Sequence, residues 1–406
     1  MEKLEQHVSE NLSITSRIET QSPKPVREYN LDPIPVDILI DIFSRLPRKS
    51  IDRFRCVSKS WRYLLRRPDF RDAFLTNSST RPRLFFTLIY NGQLFCYSSP
   101  QPQNPDDNST LVATFYDKSS ARWFPTDNRT LVCGLALLQG KYKRKDRVLV
   151  FCNPITGKFI TLPKVPLNRK SLPDTEASDA SIARIYLGYD PISKKLKVLC
   201  MTSSLCGRLN THQVLTLESG HRLWRRIDFA FSFTPDDRMR DEICINGVLY
   251  FGAKMGGQSS VIVCFDIRSE KFGFINLDED MLGENYESGY LTLFNYKGKL
   301  GIREETNEDT ELVLWVLEDA ASHEWSKQTY EMPSLIREKT FVGMTGTGEI
   351  VWSSFRNNYL NRFCVYFYNL EKNTLTRVDI RGFEDFKYRR AYIDTFLDYV
   401  ENIKLM

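Results

Sequence analysis

The amino-acid sequence predicts an α+β chain made of a short, all-α unit and a long, all-β domain. Between Leu31 and Leu75, apolar residues recur at the three- and four-residue intervals of amphipathic helices. From Arg83 onward they instead form short runs of strand length that are separated by turns containing glycine. The chain has 406 residues, of which 42% are hydrophobic, so there is ample material for a large core. The polar stretch 76–82, which ends in proline, is the predicted linker between the two parts.

Residues 1–30 are predicted to be a disordered lead-in. They contain acids and many polar side chains but no apolar run of the kind that makes a signal peptide. No later run reaches the length that crosses a bilayer. The nine cysteines include no CxxC pair and mostly lie in apolar runs. These features predict reduced thiols and a location in the cytoplasm, the nucleus or both, without membrane contact.

Composition argues against metal, cofactor and nucleic-acid binding. The four histidines never cluster with cysteines at the spacing of metal ligands, so we predict no zinc site and no cofactor. The net charge is only +5, because the 56 Lys and Arg are balanced by 51 acids spread along the chain. Nucleic acid is therefore an unlikely partner. The basic run Lys141–Lys145 is interpreted as a solvated loop tip, with nuclear import or a nucleic-acid contact as the alternatives.

Prolines and serines divide the helical unit into short helices. The predicted order is Pro35 in the first turn of helix one, Pro47 at its end, Ser50 and Ser58 as N-caps of helices two and three, Pro68 at the end of helix three, and a short turn over Asp69–Leu75. So small a unit leaves much of its apolar surface in water. Some of its apolar side chains are therefore expected to bind a partner; an ordinary helical hairpin packed on its own domain is the alternative.

The helical unit, Leu31–Leu75, resembles an F-box. The resemblance is carried by Ile34-Pro35, the amphipathic helix Asp37–Leu46, Leu46-Pro47 and the run FRCVSKSW over 54–61. The sequence departs from the family pattern at Ile34, where leucine is more frequent, and at Ser58, where cysteine is frequent. The resemblance implies that the unit binds a Skp-type adaptor and, through the adaptor, a cullin.

Nine residues match the adaptor-facing or helix-packing positions of the F-box motif. The resemblance implies that they form the adaptor interface or directly support it. They are Pro35, Ile38, Leu39, Ile42, Leu46, Pro47, Ile51, Val57 and Trp61. An apolar helical surface that is too large to be hidden by its own unit is consistent with this role, because such surfaces in soluble proteins mark interaction sites.

Four turns of one kind recur in the all-β domain. In each, glycine is the second central residue of a turn between two strand-like runs, where the favoured two-residue hairpin needs positive φ. The turns are Asn91-Gly92, Asn246-Gly247, Lys297-Gly298 and Thr347-Gly348. Recurrence at intervals along the chain indicates a repeat architecture.

A second kind of hairpin supports the repeat. An apolar strand ends in Asp, Asn or Glu, and six residues later an aromatic residue or leucine begins the return strand. The short polar side chain is expected to bond backbone N–H groups in the turn, while its apolar counterpart packs across the hairpin. The seven pairs are Asp117 with Trp123, Asn153 with Phe159, Asp190 with Leu196, Glu218 with Trp224, Asp266 with Phe272, Asp319 with Trp325 and Asn369 with Leu375.

The order of the two hairpins predicts a β-propeller over residues 83–382. In four places a glycine turn is followed by an Asp-type hairpin, which makes a four-stranded unit. About six units result: 83–125, 131–163, 182–229, 241–277, 290–330 and 340–380. Four-stranded units repeated radially avoid exposed sheet edges. Two stacked sandwiches are the alternative, although they would not require the same order of hairpins each time.

The all-β domain resembles the kelch-like, F-box-associated domain of plant F-box proteins. The motifs are NPITGKFITLP, LGYDPISKKLKVLCM and VIVCFDIRSEKFGFINL, although the paired glycines of kelch repeats are missing. The whole chain then resembles a substrate-recognition subunit of a Skp–cullin–F-box ubiquitin ligase, whose propeller binds the protein to be ubiquitinated. The alternative is a protein-binding scaffold that acts without a ligase.

An enzyme is not predicted. The sequence has neither a G-x-S-x-G nucleophile elbow nor a phosphate-binding loop of the G-x-x-x-x-G-K-[ST] kind. The acidic clusters Asp236-Asp237 and Asp278–Asp280 fall in predicted loops, and we interpret them as solvated surface. We therefore expect a receptor that is not itself catalytic.

The sequence leaves two features open: the structure of the C-terminal segment and the residues that bind the target. Segment 383–406 suits either a helix or a strand that packs on the propeller or closes its ring. The target-binding residues cannot be assigned, but loops on a rigid scaffold are the natural variable surface. The predicted loops are Gln101–Asn108, Pro166–Asp179, Phe233–Asp241, Met281–Tyr290 and Thr306–Thr310.

Overall fold

A group of short helices precedes six β-sheets arranged in a ring. The computed structural model describes residues 34–91, 93–105, 108–118, 125–142, 146–166, 180–204, 211–217, 223–227, 233–256, 259–282, 289–305, 310–354, 363–386 and 392–403. The predicted lead-in, residues 1–30, lies outside these ranges.

Four helices form the N-terminal unit, and a proline or serine stands at the start of each. The helices are α1 Val36–Ser44, α2 Arg48–Phe54, α3 Lys59–Leu64 and α4 Pro68–Ser79. Ser58 caps α3 as predicted, because its hydroxyl accepts a hydrogen bond from the Trp61 amide at 3.1 Å. The prediction that Ser50 caps α2 was wrong. Pro47 is the N-cap, and the Ser50 amide donates to the Pro47 carbonyl at 2.9 Å from inside the helix.

Helix α4 is longer than the turn predicted over Asp69–Leu75. It begins at Pro68, which suits the first helical position, and it continues to Ser79. Phe70, Phe74 and Ser78 are buried at four-residue intervals, so one face of the helix stays in the core beyond Leu75. The first part of the predicted linker 76–82 is therefore helical, and only residues 80–82 separate α4 from the first strand.

The helices share a small core. Its buried members are Phe43, Ile51, Leu64, Leu65, Phe70, Phe74 and Ile403. Phe43 and Phe54 pack on the Trp61 ring in edge-to-face contacts at 4.9 and 5.4 Å between ring centroids. Ile403 comes from the far end of the chain, so this core is not made by the helical unit alone.

Blades 1 to 3 each contain four strands; strands are numbered in chain order and given from the central channel outward. Blade 1 has Tyr392–Tyr399 (β27), Arg83–Tyr90 (β1), Gln93–Pro100 (β2) and Thr114–Lys118 (β4). Blade 2 has Pro125–Val132 (β5), Leu135–Tyr142 (β6), Asp146–Asn153 (β7) and Lys158–Thr161 (β8). Blade 3 has Ala180–Asp190 (β9), Lys195–Ser204 (β10), Thr211–Thr216 (β11) and Arg225–Ile227 (β12).

Blades 4 to 6 carry additional strands. Blade 4 has Phe233–Pro235 (β13) and Ile243–Ile245 (β15), both paired with Val248–Met255 (β16), then Ser259–Asp266 (β17) and Phe272–Asn276 (β18). Blade 5 has Met239–Arg240 (β14), Leu291–Tyr296 (β19), Lys299–Glu304 (β20), Glu311–Asp319 (β21) and Glu324–Glu331 (β22). Blade 6 has Thr340–Met344 (β23), Glu349–Ser353 (β24), Cys364–Asn369 (β25), Thr374–Arg381 (β26) and Ser109–Val112 (β3). Short helical turns cover Glu279–Leu282 (α5), Ser334–Ile336 and Glu384–Phe386.

The hydrophobic core is divided among the gaps between neighbouring blades. Six clusters of buried side chains each join residues of two adjacent blades. Between blades 3 and 4, for example, Tyr186 stacks on Phe251 at 4.2 Å between ring centroids. Each blade is therefore held by burying both of its faces against the sheets of the two neighbouring blades.

The C-terminal strand closes the ring. Strand β27 pairs antiparallel with β1, with Phe85 opposite Phe396 and Thr87 opposite Asp394. Phe85 also stacks on Tyr399 at 4.4 Å between ring centroids. The sequence left helix and strand open for this C-terminal segment, and residues Tyr392–Tyr399 form a strand. It supplies the inner strand of blade 1, so the first strand in sequence is the second strand of its blade.

This closure corrects the predicted limits of the first units. The unit 83–125 lacks the inner strand of blade 1, which comes from the other end of the chain, and its last residue, Pro125, already begins blade 2. The connection from β2 to β4 leaves the blade, and β3 pairs in parallel with β26 at the outer edge of blade 6. The predicted hairpin after Asp117 does not form, because β4 is an outermost strand; Trp123 lies outside the described residues.

Turn chemistry largely follows the sequence. Asn246-Gly247 and Lys297-Gly298 have positive φ at both residues, as the favoured two-residue hairpin requires. Cys133-Gly134, with φ of 50° and 72°, is a turn of the same kind that the sequence analysis missed. Gly92 lies outside the described residues, and Gly348 has a φ of 96°.

The Asp-type hairpins form with the predicted backbone bonds in five cases. The side chains of Asn153, Asp190, Asp266, Asp319 and Asn369 each accept a hydrogen bond from a backbone N–H two or three residues on. The turns at Asn153, Asp266 and Asp319 join the two outermost strands of their blades, and the Asn369 turn joins β25 to β26, with β3 outside them. Asp190 instead joins the two inner strands of blade 3. Glu218 lies outside the described residues.

Gly134 allows a close approach that we expect to matter for stability. Gly134 has a φ of +72°, and a Cβ added at this position would lie only 2.0 Å from the Val400 carbonyl oxygen. Gly256 has a φ of +59°, and a Cβ added there would meet no atom within 4 Å. Both alanine variants should lose roughly 1–2 kcal/mol from backbone strain. Gly134→Ala should lose measurably more, because Val400 must move. Urea unfolding of both variants checks this, and equal losses would contradict it.

Candidate functional site

The nine residues predicted for the adaptor interface divide into three groups by burial. Pro35, Ile38, Ile42, Pro47 and Val57 are exposed. Leu39, Leu46 and Trp61 are half-buried against the helical core, whereas Ile51 is fully buried within it. Five of these side chains are thus available to a partner, three are partly available, and Ile51 can only support the others from beneath.

Several apolar side chains of the helical unit are not covered by any of the described residues. Ile38 is 47% exposed, Ile42 is 44% exposed and Val57 is 62% exposed. Both isoleucines lie on α1, whose opposite side carries the buried Phe43. Exposed large aliphatic side chains that lie together on a short helix typically mark an interaction surface. We call the exposed side chains of Ile38 and Ile42 on α1, with that of Val57 after α2, the apolar surface.

Three more exposed apolar residues were missed by the sequence analysis. Ile34, Val36 and Tyr63 are 55%, 47% and 73% exposed. The signal that could have found Val36 is the composition of α1, VDILIDIFS, which is apolar around more than one face. A helix that buries only one face and is apolar on others leaves side chains for a partner.

The helical unit is also strongly basic. Between residues 34 and 79 the sequence has ten Lys and Arg and five Asp, so this short segment has the same formal charge as the whole chain, +5. Asp41 pairs with Arg45 at 2.9 Å and Asp69 with Arg67 at 2.6 Å, while Arg53 and Lys59 are exposed. The rest of the chain is neutral in sum. This distribution favours a partner with an acidic surface.

Topology decides on which face of the propeller the helices lie. Strand β27 ends, and β1 begins, on the face that carries the turns between strands one and two of the other blades. The helices precede β1 directly and therefore lie on that face. An ion pair between Asp72 of α4 and Lys194 in the first turn of blade 3, at 2.8 Å, agrees with this placement.

Four of the five predicted recognition loops leave from the opposite face. Segments 166–179, 233–241, 281–290 and 306–310 connect strands two and three or join one blade to the next, whereas 101–108 leaves from the face of the helices. The first, third and fourth lie partly outside the described residues. The prediction of a loop over 233–241 was wrong in part, because β13 and β14 lie within it and pair with blades 4 and 5. In the described part, the Arg240 guanidinium lies 3.4 Å from the centre of the Tyr290 ring and 3.8 Å from Glu305.

A central channel of about 790 Å³ runs between the inner strands. Its described lining includes the carboxyl groups of Asp241, Glu242, Asp394 and Asp398 but no Lys, Arg or His. Loss of surrounding bulk water raises the pKa of Asp241 and Asp398, although both residues remain accessible to solvent in the channel. Asp394 accepts a hydrogen bond from Thr87 at 3.2 Å and Asp398 from Gln101 at 2.8 Å, so two of these acids also support the closing strand.

Other polar groups singled out in the sequence are structural. Asp236 is 2% exposed and accepts a hydrogen bond from Ser260 at 2.5 Å, so the interpretation of Asp236-Asp237 as solvated surface was wrong for Asp236. Asp237 is exposed and pairs with Arg184 at 3.1 Å. Asp278 accepts from the Asp280 amide at 3.0 Å at the start of α5.

Two negative observations apply to the described ranges. No group of three or more His, Cys, Asp or Glu residues there could hold a metal ion. No helix within those ranges is long and apolar enough to cross a membrane. The basic run Lys141–Lys145 begins at the end of β6, and residues 143–145 lie outside the described part of the chain.

Fold and site together define a β-propeller protein whose N-terminal helices present an apolar surface. The family model of the F-box domain matches residues 31–72, and that of the F-box associated beta propeller domain matches residues 83–400. The chain therefore belongs to the F-box proteins that carry an F-box associated β-propeller domain.

Relatives from Arabidopsis thaliana agree with this assignment. One F-box protein is 46% identical over 417 residues and covers 100% of both chains. A second is 45% identical over 386 residues, which is 92% of this chain and 82% of the relative. The F-box protein DOR is 40% identical over 403 residues, with 94% and 96% coverage. The similarity thus extends through the helices and the propeller.

His212 should make stability depend on pH. Its ring is buried and stacks on Phe233 at 4.5 Å between centroids, and burial lowers its pKa from 6.5 to about 4. The unfolded chain takes up this proton near pH 6.5, whereas the folded chain does so only near pH 4. The stabilising contribution is therefore present above pH 6.5 and is lost as the pH falls towards 4, by up to about 3 kcal/mol.

The His212→Phe variant tests this expectation, because it keeps the stacking and removes the titration. Urea unfolding at about pH 7 and about pH 4.5 should show a larger loss of unfolding free energy in the unsubstituted protein than in the variant. Equal losses in the two proteins would show that His212 does not titrate as described.

Proposed function

We propose that this protein is a substrate-recognition subunit of a Skp–cullin–F-box ubiquitin ligase. Its helices bind the Skp-type adaptor, and its propeller binds the protein to be ubiquitinated. The observation that carries the proposal is the apolar surface of Ile38, Ile42 and Val57, which remains exposed after the helical core has been filled. F-box proteins are generally substrate adaptors and not catalysts, and membership of that family supports a receptor without catalysis of its own.

The division of the predicted site suggests different roles for its residues. Ile38, Ile42 and Val57, with Pro35 and Pro47, are placed to contact the adaptor directly. Leu39, Leu46 and Trp61 pack against the helical core with one side and contact the adaptor with their exposed side. Ile51 is buried in that core and holds α2 in place. Ile34, Val36 and Tyr63 extend the contact beyond the predicted set. Aromatic and aliphatic anchors of this kind dominate the energy of many interfaces.

The target is proposed to bind on the face opposite the helices. Four predicted recognition loops leave from that face, and loops on a rigid scaffold are suited to variable recognition. In the described part of the face, Arg240 and Tyr290 form an exposed pair that could bind a planar or anionic group. The expected location is the cytoplasm, the nucleus or both.

The second candidate function is a scaffold that acts without a ligase. Deleting residues 31–75 would be a poor test, because the deletion would also expose Ile403, which those helices bury. Surface substitutions on α1 are better. If the cellular effect of the protein persists when Ile38→Asp and Ile42→Asp abolish adaptor binding, the scaffold is favoured; loss of the effect favours the receptor.

Truncating the apolar surface should weaken adaptor binding without unfolding the protein. The double variant Ile38→Ala, Ile42→Ala removes two exposed side chains, and we expect a loss of about 2–4 kcal/mol in binding free energy. Calorimetry with a purified Skp-type adaptor measures the loss, and a thermal melt checks the fold. The matched control is Ile192→Ala, which removes a side chain that is 75% exposed on the propeller. Unchanged affinity of the double variant would refute the proposed interface.

The basic helical unit should speed association with an acidic adaptor surface. The association rate should fall as ionic strength rises, because salt screens charges that are exposed to solvent. The variant Arg53→Glu, Lys59→Glu should bind more slowly and with a weaker salt dependence, while Lys372→Glu, an exposed lysine on blade 6, should behave as the unsubstituted protein. Stopped-flow measurements at several salt concentrations check this. A rate that does not respond to salt would contradict it.

A further inference from the structure

The residues after the closing strand leave the propeller and enter the helical unit. Ile403 is 1% exposed and packs in the helical core with Phe43, Ile51, Leu64, Leu65, Phe70 and Phe74. The helical core therefore includes a side chain from the opposite end of the sequence. We call residues 400–403 the C-terminal latch.

The C-terminal latch is bound to blade 2 just before it reaches the helices. Asn402 is 6% exposed, and its side-chain amide donates to the Cys133 carbonyl at 3.0 Å. The Asn153 side-chain amide donates to the Asn402 carbonyl at 2.7 Å. Both bonds are buried or partly buried, and a buried polar group that loses its partner is costly. Position 402 is thus fixed on the propeller while position 403 is fixed in the helices.

Blade 1 holds the latch from a second side. Glu401 accepts a hydrogen bond from the Tyr116 hydroxyl and lies 3.9 Å from the Arg83 guanidinium. Arg48 of α2 also interacts electrostatically with Glu401. Burial and the neighbouring Arg55 lower the pKa of Arg48 to about 10, whereas the charges of Glu401 and Tyr116 act to raise it. The latch therefore contacts blade 1, blade 2 and the helices within four residues.

The choice of asparagine at position 153 has a chemical reason in this arrangement. Its Oδ1 accepts from the Ile155 amide at 3.1 Å and shapes the turn, a task that aspartate performs at positions 190, 266 and 319. The side-chain nitrogen provides what a carboxylate lacks, a donor for the Asn402 carbonyl. One side chain thus makes the turn and holds the latch.

We infer that Asn153, Asn402 and Ile403 are positioning residues that fix the orientation of the helical unit on the propeller. A single covalent connection, residues 80–82, would leave the helices free to rotate, as is usual for domains that share a small interface. The latch is a second attachment on the same face, and together with the ion pair between Asp72 of α4 and Lys194 of blade 3 it removes the remaining axis of rotation. Resting on the proposed function, this sets the direction in which a bound target faces the ligase.

The distance between the helices and the propeller tests the inference directly. Nitroxide labels on Cys56, which is exposed on the helical unit, and on a Glu371→Cys substitution in blade 6 report it by double electron–electron resonance. Labelling elsewhere is limited by replacing Cys133, Cys206, Cys244 and Cys264, so that the cysteines left besides the labelled pair are the buried Cys96, Cys152, Cys200 and Cys364. We expect one narrow distance distribution in the otherwise unsubstituted protein. Asn153→Asp, Asn402→Ala and Ile403→Ala should each broaden it, and Ile403→Val should restore it.

Matched controls separate positioning from general stability. Asn369 also shapes an outer turn, accepting from the Lys372 amide at 2.9 Å, so Asn369→Asp changes the same chemistry away from the latch. Ile267→Ala removes an equally buried isoleucine between blades 3 and 4. Both controls should keep the narrow distribution even where the thermal midpoint falls. A narrow distribution in all three latch variants would overturn the inference.

Adaptor binding measured on the same proteins distinguishes the two proposals. If the unsubstituted protein fails to bind a Skp-type adaptor while the latch variants still broaden the distance, the proposed function fails and the latch stands. If the adaptor binds and the distance never broadens, the latch fails and the proposed function stands. We expect Asn153→Asp to bind the adaptor as the unsubstituted protein does, because Asn153 is remote from the apolar surface.

Discussion

The pairing of the last strand with the first is the constraint on which the rest of the molecule depends. Strand β27 gives blade 1 its inner strand and covers the backbone edge of β1. It also brings Phe396 and Tyr399 onto Phe85, between blades 1 and 2. Because both chain ends then emerge on one face, the helices that precede β1 and the residues that follow β27 meet there. Closing the ring therefore decides where the helical unit lies.

The helical unit does not bury all of its apolar side chains by itself, either at its contact with the propeller or at its solvent-exposed surface. Towards the propeller it lacks a core residue, and Ile403 supplies it. On its solvent-exposed surface it presents Ile38, Ile42 and Val57, which nothing in the described chain covers. About forty residues cannot satisfy their own apolar content, because a unit of that size has too much surface for its volume. One deficit is met within the molecule, and the other is available for a partner.

The two faces of the propeller therefore differ in what they can do. One face carries the tight turns, the helices and the C-terminal latch, where bonds such as those of Asn153 and Asn402 leave little freedom. The opposite face carries most of the long connections, with Arg240 and Tyr290 exposed among them. A rigid attachment on one side and long connections on the other is the arrangement that the proposed function, holding two partners in a fixed relation, would require.

The sequence by itself determined the helices, most of the turns, the number of blades and the family. These depend on residues that are close together in the chain: helical spacing around Ile38, positive φ at Asn246-Gly247, and the carboxylate or amide that ends a strand. Only the tertiary structure decided that Ile51 is hidden, that β27 belongs to blade 1, and that Ile403 lies among the helices. The burial of Ile51 depends on how separate helices pack, and the places of β27 and Ile403 depend on contacts between residues hundreds of positions apart. No local pattern records such contacts.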